Sequence, residues 1–180
     1  MELRPADCLA ATSFVDSDHP TVTAFAARAT NGIESPREQA AALFLAVRDG
    51  YRYDPYGATY ETENFLASTV VGTDRNWCVP KSILLTAACR ASGIPAALGF
   101  ADVRNHLQSE KLSGTKVLEW DGTGDALMHP FDTTGNRHME YVRDRGTYVD
   151  LPLDELLATF AELYPHMGTA TSGGGDPMFA

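Results

Sequence analysis

The sequence predicts an α+β domain: N-terminal helices, a central buried helix bearing a cysteine, and a small antiparallel sheet packed on it. Two observations carry this. Residues 79–92 are apolar on nearly every face, which is the pattern of a helix enclosed by other elements. Downstream, apolar and β-branched stretches are short and separated by turn residues, which is the pattern of strands.

Thr21 to Ala29 is expected to be a short helix with Thr21 as its cap. Ser35-Pro36-Arg37-Glu38 is a helix start, with Ser at the N-cap, Pro at the first position and Glu at the third. That helix continues along one broad apolar stripe and stops near Gly50. Tyr51-Arg52-Tyr53-Asp54-Pro55 is an extended piece ended by Pro. Glu61 to Val71 is helical or mixed. Pro80 fits only a first turn, so Cys78 falls at or just before the N-terminus of the central helix. Gly93 ends that helix. Ile94 to Val103 is expected to be a strand, Lys116 to Trp120 a shorter one. His138 to Arg143 and Thr147 to Asp150 are expected to form two strands around a turn at Asp144-Arg145-Gly146. A last amphipathic helix spans Pro152 to Tyr164. One domain over residues 1–168 and a Gly-rich flexible tail over 169–180 complete the expected organisation.

Composition narrows the function classes. The chain of 180 residues is 44% apolar and 21% charged, ordinary values for a soluble domain. Its net charge of −10 and scattered basic residues argue against nucleic acid as a partner. No apolar run is long enough for a bilayer, so no membrane partner is expected, and no signal peptide is evident. A cytoplasmic location is the default expectation. Three widely spaced cysteines, Cys8, Cys78 and Cys89, do not make a disulfide framework. The five histidines form no metal-ligand pair, and Asp121 to Asp125 is a turn rather than a calcium loop. No metal or organic cofactor is implied.

Cys78 is the candidate reactive group. A helix N-terminus stabilises a thiolate through its N–H groups and dipole, and Trp77 supplies an apolar wall that limits water. Cys89, mid-helix among Ala and Leu, and Cys8, in the N-terminal stretch, are expected to be small core residues. His129 and His166 are expected at the surface, and Asp54 in a solvated loop.

Asn76-Trp77-Cys78-Val79-Pro80-Lys81-Ser82-Ile83-Leu84-Leu85, followed by Cys89-Arg90-Ala91-Ser92-Gly93-Ile94-Pro95-Ala96, resembles the nucleophile helix of the transglutaminase-like superfamily, a branch of the papain-type cysteine enzymes. The lead-in Tyr51-Arg52-Tyr53-Asp54 is similar to that family's. Phe100 to His106 and Asp125 to Gly146 resemble a bacterial subgroup. The resemblance spans roughly residues 36 to 160. It implies a papain-like, transglutaminase-like fold and acyl transfer through a thioester on Cys78. Water as acceptor gives a hydrolase or thiol protease, and an amine gives an acyltransferase. A peptide, amide or acyl-thioester substrate is implied, with the helix N-terminus and the Cys78 N–H holding the oxyanion.

The chain departs from the subgroup at one place. The subgroup's catalytic His lies in a His-Gly-Tyr strand, expected between Val103 and Trp120. Residues 107–118 fill that gap, contain no His and are too few for two strands. Three readings follow. His138 and Asp150 complete the site, in a His-strand-turn-strand-Asp hairpin. Alternatively, His106 is the base with Asp102 nearby. In the third reading the shortened domain has lost catalysis and keeps a binding or structural role.

Overall fold

The computed structural model describes residues 3–54, 60–105, 117–120 and 139–163. His106, His129, His138, His166, the Asp121 to Asp125 turn and the Gly-rich tail lie outside the described residues.

Five helices and five strands make up the described chain: α1 (Pro20–Ala29), α2 (Pro36–Gly50), α3 (Ala67–Val71), α4 (Cys78–Ala91) and α5 (Leu153–Leu163), with β1 (Arg52–Tyr53), β2 (Arg75–Asn76), β3 (Leu98–Asn105), β4 (Val117–Trp120) and β5 (Met139–Tyr148). The architecture is α+β, dominated by helices with short strands. Short 3-10 turns at Pro5–Cys8 and Thr62–Phe65 add to them.

α4 is the axis of the molecule. Helices α1, α2 and α3 pack on it, and β3 and β4 approach it from the sheet side. Only Leu85 and Ala91 along it are less than fully buried. That is the physical meaning of its all-round apolar pattern. Its end is fixed by Gly93, at φ +75°. The Gly93 N–H donates to the Arg90 carbonyl and the Ile94 N–H to the Cys89 carbonyl, both at 2.9 Å. This paired arrangement satisfies carbonyls the helix leaves open.

Three expectations need correction. His19, not Thr21, caps α1: its Nδ1 accepts the Thr21 N–H at 3.3 Å, and Pro20 takes the first helical position, where its missing N–H costs nothing. The strand after α4 starts at Leu98 rather than Ile94. Ala96 is held by other partners, its N–H donating to the Cys8 carbonyl and its carbonyl accepting from Arg90 Nε. Most consequential, the Asp144-Arg145-Gly146 segment is not a hairpin turn. β5 runs unbroken through it, antiparallel to β3, in a sheet ordered β4-β3-β5. Phe100 pairs with Gly146 and Ala101 with Asp144, so Arg145 is an extra residue in a β-bulge. Gly146 takes φ +112°, and its N–H donates to Asp144 Oδ1 at 2.8 Å.

Candidate active site at the head of helix α4

The segment leading into α4 is held by a two-stranded parallel ladder. Arg52 pairs with Arg75 and Tyr53 with Asn76. The Asp54 N–H donates to the Asn76 carbonyl at 3.1 Å, and Arg75 lies 3.7 Å from the Asp54 carboxylate. Asn76 Oδ1 then accepts the Trp77 N–H at 3.0 Å. The chain turns at Trp77, the N-cap, and Cys78 is the first helical residue. The Tyr-Asp lead-in thus has a mechanical role: it fixes where α4 begins.

Cys78 is 6% exposed. The first turn of α4 carries no acidic side chain, so the positive end of the helix is left for a thiolate. An aromatic group covers this end. Trp77 meets Phe65, Tyr60 and Phe160 edge-on, at centroid separations of 6.0, 6.2 and 5.5 Å. Tyr60 and Phe160 meet each other at 5.9 Å. Burial raises the Tyr60 phenol above its usual range, and negative charge at Cys78 raises it further, which places the two groups within electrostatic reach.

One turn into the helix, Lys81 is 1% exposed. Its ammonium donates to the carbonyls of Arg48 at 3.1 Å and Tyr51 at 2.8 Å. A buried cation there satisfies carbonyls at the C-terminal end of α2 and ties that end to the head of α4.

The other cysteines behave as core residues. Burial pushes the Cys89 thiol up to about 11, which keeps it protonated near neutral pH. Cys8 is buried beside the Arg90 end of α4.

Asp150 is not brought to Cys78. Its carboxylate accepts the N–H groups of Ser13 at 3.0 Å, Phe14 at 3.1 Å and Leu151 at 2.9 Å. It also faces Arg90, whose guanidinium donates to the carbonyls of Ala10, Val149 and Ala96. Arg90 lies twelve residues from Cys78 on α4, about 18 Å along the axis. The continuous course of β5 adds a second separation. Tyr148 and Met139, the neighbour of His138 in the chain, stand at opposite ends of a strand roughly 30 Å long. β5 makes no hairpin between Met139 and Tyr148, and the Asp150 carboxylate is engaged by the N-terminal segment at the Arg90 end of α4. For the second pair, Asp102 sits mid-strand in β3, in register with Leu118 and Arg143. Asn105 and Met139, which adjoin His106 and His138 in the chain, are register partners.

Tyr60, Lys81, Ser82 and Phe160 escaped the sequence reading as site residues. Adjacent lysine and serine residues in the first turns of a mostly apolar helix are a signal for two of them. Tyr60 and Phe160 carry none, since contacts distant in sequence bring them together.

A helix-borne cysteine at the edge of a helical core, backed by a small antiparallel sheet, defines a papain-type α+β domain of the cysteine-enzyme kind. The sequence profile of the transglutaminase-like superfamily matches residues 23–139, and the chain belongs to that superfamily. Among solved structures, the fold is similar to that of a candidate cysteine protease from Cytophaga hutchinsonii, with a TM-score of 0.59 and 16% identity. That likeness covers 83% of this chain and 48% of the other, so the chain spans about half the length of that structure. No curated protein matches the sequence. Among the described residues, no helix is long and apolar enough to cross a membrane.

Proposed function

We propose that the protein performs cysteine-dependent acyl transfer, or amide or thioester hydrolysis, through a thioester on Cys78. One observation carries this reading: Cys78 is the first residue of a buried helix whose first turn holds no acid, under an aromatic cover. The thiolate attacks the substrate carbonyl carbon, and the charge that develops on oxygen is held by the Cys78 N–H and the helix N-terminus. The leaving group departs with a proton from the base, and the Cys78 thioester remains. Water or an amine then attacks it, giving up a proton to the same base and regenerating the thiol. His138 is the proposed base, with His106 as the alternative. Asp150, occupied at the far end of α4, takes no part. A peptide, amide or acyl-thioester substrate fits this chemistry, in a cytoplasmic setting where three free cysteines stay reduced.

The test is acylation. Incubation with an activated ester or a short peptide thioester should leave one acyl group on Cys78, detected by mass spectrometry and missing from Cys78→Ala. The engagement of Asp150, together with the shortened 107–118 segment, favours a second reading, a relative that binds but does not catalyse. Under it no acyl group accumulates, and the Cys78 thiol titrates near the free value of about 8.5.

A further inference from the structure

Among the described residues, two buried side-chain oxygens have no hydrogen-bond partner: Thr12 Oγ1 and Ser82 Oγ. Ser82 is the sharper case, being 6% exposed and inside α4. A serine within a helix has an easy local solution, donation to the carbonyl four residues back. Here that carbonyl belongs to Cys78, and the bond is not made. A buried hydroxyl left unpaired costs free energy that an alanine would not.

Its position says what it is open to. Ser82 follows Cys78 by four residues, so the two share a face of α4, with Cβ atoms about 5–6 Å apart. Side chains on a helix lean toward its N-terminus, which tilts the Ser82 hydroxyl over the Cys78 turn. At that separation the two side chains are neighbours on one face of the helix. A protonated thiol is a weak acceptor and leaves the hydroxyl idle. A thiolate is a strong one.

We propose that the Ser82 hydroxyl is a donor reserved for the ionised sulfur of Cys78, a positioning residue that holds the thiolate at the head of α4. The inference rests on the reading of Cys78 as the nucleophile. When the thiol gives up its proton, Ser82 Oγ–H turns onto Sγ, and the energetic cost of the unpaired hydroxyl is relieved in the reactive state. Among the described residues, charged and titratable groups on the elements packed against this end include Arg48 and Asp49 on α2, Arg52, Tyr53, Asp54 and Arg75 on and beside the β1–β2 ladder, Tyr60, Glu61 and Glu63 at the Thr62–Phe65 3-10 turn, and Glu155 and Glu162 on α5, and the proposed histidine base adds to them. Lys81 lies on α4 itself. Substitution of Ser82 leaves all of them in place, so a comparison between variants isolates the hydroxyl.

The experiment is the rate of iodoacetamide alkylation of Cys78 against pH, resolved from Cys8 and Cys89 by peptide mass spectrometry, with thermal unfolding run in parallel. Ser82→Ala should move the midpoint of the profile up by about one pH unit, the effect of one charge-assisted hydrogen bond, without lowering the melting temperature. Ser82→Thr, which keeps the hydroxyl, should retain the midpoint of the unsubstituted protein. A depressed midpoint that Ser82→Ala leaves unmoved overturns the role of Ser82 while the reading of Cys78 stands. Equal shifts in Ser82→Ala and Ser82→Thr also overturn it, because packing rather than the hydroxyl is then responsible. If the unsubstituted protein itself titrates near 8.5, the nucleophile reading fails and this inference with it.

Discussion

The ammonium of Lys81 lies 2.8 Å from the carbonyl oxygen of Tyr51, inside the protein, three residues after the candidate nucleophile. A lysine so placed is a structural clamp. It fills an acceptor site at the end of α2 and fixes the head of α4 against it. Lys81→Met keeps the aliphatic bulk and removes the donor, leaving two carbonyls without it. Charged hydrogen bonds of this kind contribute about 1.5–3 kcal/mol each, offset by the relief of a buried charge. The expected net loss is about 2–3 kcal/mol in urea unfolding. An unchanged midpoint would show that water replaces the ammonium at no cost.

The Cys89 thiol links stability to alkaline pH. Its pKa in the folded protein is raised by burial to about 11, above the value an exposed thiol has on unfolding. The folded state therefore holds its proton longer than the unfolded state. Stability from this group is complete below about pH 9 and is lost as pH rises toward 11. A difference of that size between the two states corresponds to roughly 2–3 kcal/mol. Cys89→Ala should flatten the fall in stability between about pH 9 and pH 11, measured by denaturant titration at each pH. Parallel curves for the two proteins would remove Cys89 as the cause.

The prominence of α4 was legible because both of its ends carry local signals. Pro80 has no N–H to donate and must sit in the first turn, and Gly93 supplies the positive φ that ends the helix. The course of β5 was not legible for a related reason. A glycine at positive φ after an Asp serves a hairpin turn and a β-bulge equally well. What decides between them is pairing with β3, some 45 residues earlier in the chain. Asp150 shows the same limit: its partners Ser13 and Phe14 are 137 and 136 residues away. A carboxylate following a strand has the form of a triad member in sequence, and only the tertiary fold shows it closing the N-terminal segment over the end of α4.

Asp150→Asn separates those two roles. Asparagine keeps one acceptor oxygen and loses the charge opposite Arg90. The tie to Ser13 and Phe14 should weaken by about 1–2 kcal/mol, seen as a lower melting temperature. The pH profile of Cys78 alkylation and the yield of acyl adduct at the permissive temperature should not change. A fall in adduct yield without a fall in stability would return Asp150 to the chemistry and contradict its placement about 18 Å along α4.

Phe160 tests whether α5 governs access to Cys78. Its ring meets Trp77 at 5.5 Å and Tyr60 at 5.9 Å, which makes α5 the outer layer of the aromatic cover. Truncation to alanine opens that layer. A half-buried phenylalanine contributes less than a fully buried one, so Phe160→Ala should cost about 2 kcal/mol. Burial limits the encounter of reagent with thiol, whereas a helix N-terminus favours ionisation of a thiol. The two effects separate in one experiment. Phe160→Ala should speed Cys78 alkylation severalfold at every pH while the midpoint stays fixed, and Phe160→Leu should restore much of the protection. A midpoint that moves with Phe160→Ala would mean that the aromatic cover sets the charge state of Cys78 and not merely its access, placing Phe160 in the electrostatics of the site alongside the helix terminus.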